Sequence, residues 1–448
     1  MSAPALKLKT SYADILRFAL PISVSILIPQ LNNLTNNIFL SRLGEKELGT
    51  AGITGVYYLI FAVIGGGFNS GLQSLLSRSA GKENVHEIGR YLAQAMKIVV
   101  FLAVSGIVIT NLLTPILIKS QIQETEVFDL TCTFIKIRIL GLPFLYFYQL
   151  GNSFLISTNN TKFLMIGSAA EALTNVVLDY VLIFGKAGIP AMGFMGAAWA
   201  SIGAEAVGMI VVHSFLWYKG LPQKFLVKTF KGWDKNATTD IFDRSIPLIF
   251  QYLISIVSWL LFYLWIEDLG RRALAISNTM RNVFGVFGVF IWAFAATSNN
   301  MVSNIIGQGK MDQVLPVIRK IALLSFMIAL PLCLLLNIFP HTFYKIYASG
   351  EAFTSEAIPV MRVVTLAILL MSQGAIWMNA ILGTGLTRIN LGIEVVTVFV
   401  YLAYIYWAVG FRHNALEWAT GAEILYWGML WGAAILFFRY FGWREKYR

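Results

Sequence analysis

The sequence has few charged residues and almost no cysteine or histidine. Charged side chains make up 13% of its 448 residues, against about 25% in soluble proteins. Its two cysteines, Cys132 and Cys333, offer neither a disulfide framework nor a CxxC metal pattern. The four histidines are dispersed, and there is no HExxH, GxSxG or P-loop pattern. We therefore expect no cofactor and no enzymatic activity.

What the sequence does contain is apolar residues in long runs. Hydrophobic residues account for 57% of the chain, and the mean hydropathy is +0.69. Runs of about 20 such residues are long enough to cross a bilayer as helices. We therefore predict an all-α integral membrane protein with twelve transmembrane helices. They are expected near residues 12–40, 48–79, 88–118, 127–157, 163–184, 192–218, 240–266, 273–306, 312–337, 354–382, 389–410 and 419–441.

The basic residues lie mainly in the predicted loops and on one side of the membrane. With an even number of helices both termini share a side, and that side carries 21 Lys and Arg residues against 8 on the other. The positive-inside rule then predicts cytoplasmic termini in a plasma (inner) membrane. The net charge of +11 is thus explained by orientation and lipid headgroup contact, so we expect no nucleic-acid partner.

The two halves of the sequence repeat at a constant offset of 226 residues. Pro21 corresponds to Pro247, and the segment RLGEKEL corresponds to DLGRRAL. We predict an N-terminal lobe over residues 1–220, a cytoplasmic linker over 221–239 and a C-terminal lobe over 240–448. Six helices in each lobe give parallel repeats related by a pseudo-two-fold axis along the membrane normal, a body able to rock about a central cavity.

Three polar residues recur at intervals of four within the fifth apolar run, EALTNVVLDY. Asn175 and Asp179 lie one turn apart and share a helix face. A carboxylate inside a membrane costs about 2.5 to 3.5 kcal/mol and needs a cation, a proton or a partner. Asp179 is therefore a candidate coupling residue, and a packing hydrogen bond is the alternative. Glu171, nearer the helix end, either extends an ion path or faces headgroups.

Asparagines cluster in the first predicted helix, and a second acidic residue lies in the other lobe. No asparagine of the stretch LNNLTNN recurs 226 residues later, where the sequence reads VSWLLFY, and this favours a role in ion or substrate binding in one lobe. Glu394 shares a helix face with Tyr401 and is a candidate cavity acid that attracts an organic cation, unless Arg281 or Arg362 neutralises it. Trp259 and Trp377, near helix centres, are candidate stacking residues or core fillers.

Several stretches of the sequence resemble the multidrug and toxic compound extrusion (MATE) family of the multidrug/oligosaccharidyl-lipid/polysaccharide flippase superfamily. NNIFLSRLGEKELGTAGI, GGGFNSGLQSLLSRSAGKEN, TNVVLDYVLIFG and MGAAWAS resemble its N-terminal lobe. LGRRALAISN, MVSNIIGQGK and ILGTGLTR resemble its C-terminal lobe. The resemblance implies a monomeric, two-lobed, twelve-helix antiporter. It would export small organic, often cationic, compounds in exchange for Na⁺ or H⁺ by alternating access.

The resemblance also implies a set of site residues. The family's coupling-cation site matches Asn175 and Asp179, with Asn152 on the fourth helix and Ser201 in place of a family Thr. Asn36 stands where the family has an Asp on the first helix, which leaves sodium and proton coupling both open. In the other lobe, Gln251 occupies the neighbourhood of an acid found in another branch of the family. The candidate substrate-cavity residues of that lobe are Glu394, Gln251, Trp259, Tyr401 and Trp377.

A lipid-linked oligosaccharide or polysaccharide flippase of the same superfamily is the main alternative. Arg138, Arg281 and Arg362 lie within predicted helices, and arginine is well suited to binding phosphate. A cluster of these arginines in a cavity would favour the flippase. A cavity dominated by Asp179 and Glu394 would favour cation export.

Overall fold

The computed structural model describes residues 6–119, 122, 124–229, 232–346, 351–411 and 415–445. The described part consists of helices and short connections. The helices are α1 (Tyr12–Ser41), α2 (Glu45–Gly81), α3 (Val85–Lys119), α4 (Thr125–Arg138), α5 (Leu142–Ser157), α6 (Lys162–Phe184), α7 (Gly193–Tyr218), α8 (Leu221–Lys224), α9 (Lys235–Glu267), α10 (Arg271–Gly307), α11 (Val314–Ile338), α12 (Pro340–Ile346), α13 (Glu351–Gly383), α14 (Thr387–Phe411) and α15 (Ala415–Tyr440).

Among the described residues, twelve helical segments are long and apolar enough to span a membrane, which confirms the predicted fold class. Their bounds fall within a few residues of those expected from hydropathy. The fourth segment, Thr125–Ser157, is interrupted: a 3-10 turn at Ile139–Gly141 separates α4 from α5. Cys132 and Cys333 are both buried and reduced, as expected for packing residues.

The helices repeat with the register of the sequence. α2 and α10 each have 37 residues, and their first and last residues differ by the same offset that relates the two halves. Each follows a glycine with positive φ, at +148° for Gly44 and +101° for Gly270. Other residues rarely adopt these angles, so the paired glycines in RLGEKEL and DLGRRAL fix equivalent turns before α2 and α10.

The chain divides into two compact units, and the division falls inside two helices. Unit 1 comprises Met1–Leu6 and Val24–Ile249, and unit 2 comprises Lys7–Ser23 and Phe250–Arg448. The first turns of α1 therefore belong to unit 2, and the first turns of α9 belong to unit 1. The segment expected to be a linker forms α8, a 3-10 turn and the start of α9, and it packs within unit 1. Residues 230 and 231 of that segment lie outside the described residues.

In unit 2, the segment that precedes α1 is held by polar side chains of α10 and α11. The Leu8 backbone N–H donates to Asn304 Oδ1 at 3.0 Å, and Gln308 Nε2 donates to the Leu8 carbonyl at 3.1 Å. Lys320 Nζ donates to the Thr10 carbonyl at 3.0 Å. These bonds satisfy backbone groups that no helix satisfies, and they fix where α1 begins.

In unit 1, the segment that precedes α9 is held by α3. Arg90 donates twice to the Asp234 carboxylate, at 2.5 and 2.8 Å, and Gln94 Nε2 donates to the Gly232 carbonyl at 3.0 Å. Asp234 Oδ1 also accepts the Ala237 backbone N–H at 3.0 Å, so it caps the N-terminus of α9. The Asp234 carboxylate thus caps the N-terminus of α9 and also links that helix to α3.

This cap predicts a pH-dependent contribution to stability. The Arg90 guanidinium and the Ala237 N–H hold the pKa of the Asp234 carboxyl well below its usual range. Because the folded-state pKa is the lower one, the stabilisation is present above about pH 4 and is lost as the pH falls below it. We expect Asp234→Asn to cost about 1 kcal/mol at pH 7, since both groups are partly exposed.

The measurement is the apparent melting temperature in detergent at pH 7 and pH 3. The difference between wild type and Asp234→Asn should shrink at the lower pH. Asp312→Asn is the matched control, because Asp312 is 97% exposed and lies 3.7 Å from Arg444. An equal deficit at both pH values would contradict an ionised Asp234 cap.

Candidate ion and substrate sites

Unit 1 encloses a polar cavity of about 1150 Å³, here called the asparagine cavity. Its walls come from α1, α2, α4, α6 and α7. Three of the predicted site residues, Asn36, Asn175 and Ser201, line it together. Its other polar lining residues include Asn32, Asn33, Asn37, Tyr58, Arg138, Glu171 and Glu205.

A hydrogen bond between α1 and α6 forms one side of this cavity. Asn32 Nδ2 donates to Asn175 Oδ1 at 2.7 Å. Asn175 is buried, and Asp179, one turn further along α6, is only 1% exposed. The predicted shared face of Asn175 and Asp179 therefore points into unit 1 and away from lipid. Asp179 itself is not among the residues that line the asparagine cavity.

Asp179 is a buried carboxyl group without a partner. Neither of its oxygens has a hydrogen-bond partner among the described residues. The same holds for the buried side-chain oxygens of Asn32, Asn36 and Asn152. A buried polar group without a hydrogen bond costs about 1 to 3 kcal/mol and calls for an explanation. Unpaired carboxyl and amide oxygens are what a hard cation takes as ligands, and a lone buried carboxyl also accepts a proton.

Asn152, the remaining oxygen donor predicted for the cation site, does not line the asparagine cavity. It is on α5 and half-buried, and its neighbour Tyr148 also lies beside Glu171. Glu171 lines the asparagine cavity, and its side chain interacts with Tyr148. Of the two interpretations left open for Glu171, the structure favours a position on the polar path within unit 1.

A buried ion pair that we did not predict forms another wall of the asparagine cavity. Arg138 on α4 donates to both carboxylate oxygens of Glu205 on α7, at 2.9 and 2.5 Å. The Tyr58 hydroxyl of α2 donates to the same carboxylate at 3.0 Å, and the Arg138 guanidinium lies 3.6 Å from the Tyr58 ring centroid. The side chains of Arg138 and Glu205 are only 14% and 6% exposed. Three helices are therefore joined by one neutralised charge pair.

The backbone at the break between α4 and α5 leaves room for this pair. A Cβ atom at Gly141 would lie 2.4 Å from Glu205 Oε2 and 2.7 Å from Arg138 Nη1. No other residue fits there without moving the pair. The signal for the pair was present in the sequence, because Arg138 and Glu205 are opposite charges within predicted spans. Sequence spacing gave no reason to place them together.

In unit 2, Glu394 on α14 is buried and surrounded by neutral donors. Its carboxylate accepts hydrogen bonds from the Ser255 hydroxyl at 2.6 Å and the Tyr426 hydroxyl at 2.5 Å. Gln251 Nε2 lies 3.4 Å away, and Gln251 Oε1 accepts from Asn390 Nδ2 at 2.8 Å. Neither Arg281 nor Arg362 pairs with Glu394 within the described residues. The Glu394 carboxyl group therefore has no cationic partner among those residues.

Glu394 lines a cavity of about 420 Å³, here called the glutamate cavity. Gln251, Trp259 and Tyr401, three of the predicted substrate residues, line it as well. A second acid, Glu423 on α15, also lines it and accepts a hydrogen bond from the Tyr401 hydroxyl at 2.9 Å. Glu423 was missed from the sequence, although an acidic residue in the last predicted span was a signal.

Trp377, the remaining predicted substrate residue, lies elsewhere in unit 2. It is buried against Phe438, with ring centroids 5.7 Å apart, and lines a separate cavity with Arg319 and Gln373. This burial agrees with the alternative role considered for Trp377, that of an aromatic residue that fills the core. Arg362 is exposed on α13. The three arginines considered for phosphate binding are therefore in different surroundings, and Arg138 is already neutralised by Glu205.

Comparisons with known proteins agree with this architecture. The MatE family model matches residues 21–181 and again 247–407, in the register of the internal repeat. The probable multidrug resistance protein NorM of Synechocystis sp. is 24% identical over 373 residues, covering 80% of this chain and 78% of that protein. The probable multidrug resistance protein NorM of Thermotoga maritima is 22% identical, covering 84% and 80%.

Solved structures show the same fold. An outward-facing multidrug resistance MATE family transporter of the MOP superfamily matches with a TM-score of 0.89 at 17% identity, covering all of this chain and 98% of that one. A MOP superfamily transporter from Pyrococcus furiosus matches with a TM-score of 0.87. Because the family model covers both repeats, and therefore more than half of the residues, the chain belongs to the MatE family of membrane transporters.

Proposed function

We propose that this chain, an efflux antiporter of the MatE family, exports organic cations in exchange for Na⁺ or H⁺. The coupling ion is assigned to Asp179 in unit 1. The organic substrate is assigned to the glutamate cavity in unit 2. Unit 1 thus holds the coupling-ion site and unit 2 the substrate site, so a single chain supplies both and acts as a monomer.

The observation that carries the coupling assignment is the unpaired carboxyl group of Asp179. A packing role for this residue would require a hydrogen-bond partner on a neighbouring helix, and neither oxygen has one among the described residues. Asn175, Asn36 and Ser201 supply oxygen atoms on the adjoining cavity wall. We infer that an entering cation or proton lowers the free energy of one arrangement of unit 1 relative to another.

The substrate assignment follows from the charge and the walls of the glutamate cavity. Two carboxylates, Glu394 and Glu423, lie among the aromatic rings of Trp259, Tyr401 and Tyr426. A carboxylate in a low-dielectric cavity attracts a cation, and aromatic faces bind organic cations. This combination favours flat or amphiphilic molecules that carry positive charge.

The lipid-linked sugar flippase is not favoured. A phosphate group would need an arginine with free donors, but the guanidinium of Arg138 is engaged on both oxygens of Glu205. The polar walls of the glutamate cavity carry negative charge instead.

The excess of Lys and Arg on one side supports an inner-membrane location with both termini in the cytoplasm.

Transport measured in reconstituted vesicles tests the proposal. We expect vesicles loaded with 1-methyl-4-phenylpyridinium to release it when either an inward sodium gradient or an inward proton gradient is imposed, with the other ion clamped. The gradient that supports release identifies the coupling ion. Vesicles that contain Glu394→Gln should bind and release this cation less well, because the cavity then lacks one of its two negative charges.

Two results would contradict the proposal. Release that is equal with and without both gradients would show a passive channel rather than an antiporter. Uptake of a lipid pyrophosphate by the protein, with no release of the organic cation, would support the flippase.

A further inference from the structure

A second cavity of unit 2 adjoins the glutamate cavity and contains an arginine. This cavity, of about 290 Å³, is here called the arginine cavity. Arg281 lines it, and Glu423 lines both cavities. Trp259, Trp292 and Trp427 are also shared between the two. The three side chains therefore line two adjoining, aromatic-walled cavities, here taken together as one space.

Arg281 is held there by aromatic rings rather than by a carboxylate. Its guanidinium carbon lies 5.6 Å from the ring centroid of Trp259 and 5.4 Å from that of Tyr263. Neither glutamate lies within 4 Å of it, and it forms no ion pair with any residue that the structure describes. Arg281 thus occupies aromatic faces of the kind that bind an organic cation.

The charges of this space do not balance. When ionised, Glu394 and Glu423 contribute two negative charges, and their hydrogen-bond donors, Ser255, Tyr426 and Tyr401, are all neutral. Arg281 contributes one positive charge, because a guanidinium stays protonated in proteins. One negative charge is left over, and an unneutralised charge within a membrane protein is costly.

We propose that Arg281 restricts this site to organic molecules that carry a single positive charge. This inference rests on the proposed function and adds the charge of the substrate to it. A monocation completes neutralisation of the two glutamates. A dication of the same size adds one positive charge too many and approaches Arg281 along the shared tryptophan walls. Arg281 is thus a specificity-determining residue that acts through its charge.

Two probes of closely similar shape test this inference directly. They are 1-methyl-4-phenylpyridinium, a monocation, and N,N′-dimethyl-4,4′-bipyridinium, a dication with the same two-ring skeleton. Binding of each to the full-length protein in detergent is measured by isothermal titration calorimetry, with quenching of tryptophan fluorescence as the second readout. The quantity of interest is the ratio of the two dissociation constants.

We expect wild type to bind the monocation roughly tenfold or more tightly than the dication. Arg281→Gln should remove or reverse that preference, because two negative charges then remain. Arg281→Lys keeps the charge and should keep the preference. In Glu423→Gln both probes should bind weakly, and adding Arg281→Gln to it should restore monocation binding, because one negative charge is again left over.

The rescue in the double variant guards against misfolding of a single one, since a merely damaged cavity would not regain binding. Arg362→Gln is the matched control, a second arginine within a predicted span that lies exposed on α13, and its ratio should equal that of wild type. An unchanged ratio in Arg281→Gln, or equal effects of Gln and Lys at 281, would overturn the inference. If Arg281→Gln changes the ratio of dissociation constants as expected but the wild-type protein shows no gradient-driven release, only the proposed function is contradicted.

Discussion

We expect gradient-driven efflux to be lost in Asp179→Asn, falling to the rate of vesicles without protein, while the variant still folds. The substitution keeps the size of the side chain, replaces one carboxyl oxygen with an amide NH2 group, and removes the ability to carry negative charge. Because this carboxyl group has no partner among the described residues, no native contact is broken. We therefore expect the apparent melting temperature to stay at or above that of wild type, since a buried ionisable group has been made neutral.

The stability measurement separates coupling from packing. If Asp179 served packing alone, its change to asparagine would lower the stability of the protein. The dependence of transport on the ion gradient would stay unaltered. Asp129→Asn, the same chemical change at an exposed position of α4, is the control and should transport like wild type. Undiminished gradient-driven release from Asp179→Asn would refute the coupling assignment.

The largest loss of stability is expected when the pair of Arg138 and Glu205 is broken. Removing either charge leaves the other buried and uncompensated, at a cost of about 3–5 kcal/mol. Arg138→Met and Glu205→Met should each lower the apparent melting temperature by roughly 10 °C. The double variant should recover much of this loss, because no unpaired charge remains. Thermal unfolding in detergent, followed by tryptophan fluorescence, measures all three.

Tyr58→Phe provides a graded comparison at the same site. It removes one donor to Glu205 and leaves the ion pair intact, so a loss of about 1 kcal/mol is expected. If the single charge-removing variants were no less stable than Tyr58→Phe, or if the double variant were less stable than both, the pair would not be a buried, mutually compensating one.

The apolar pattern of the sequence determined the fold class and the helices. Lipid requires every spanning segment to satisfy its own backbone, so a run of apolar residues long enough to cross has to be a helix. For this reason the twelve spans could be placed to within a few residues. The matching lengths of α2 and α10 follow from the internal repeat, since equal segments after equivalent glycine turns build equal helices. The candidate role of Asp179 also came from the sequence, because a lone acid in an apolar run needs an explanation wherever it lies.

Contacts between distant segments were decided by the tertiary structure. Nothing in the local sequence around Glu205 or Glu423 names a partner, and the hydrogen bonds of Glu205 reach across 67 and 147 residues. Trp259 and Trp377 look alike as central aromatics, but only Trp259 lines the glutamate cavity. Helix periodicity gives the face of a side chain on its own helix. The neighbour on that face depends on how the helices of each unit pack, and this packing follows from the shape of all side chains together.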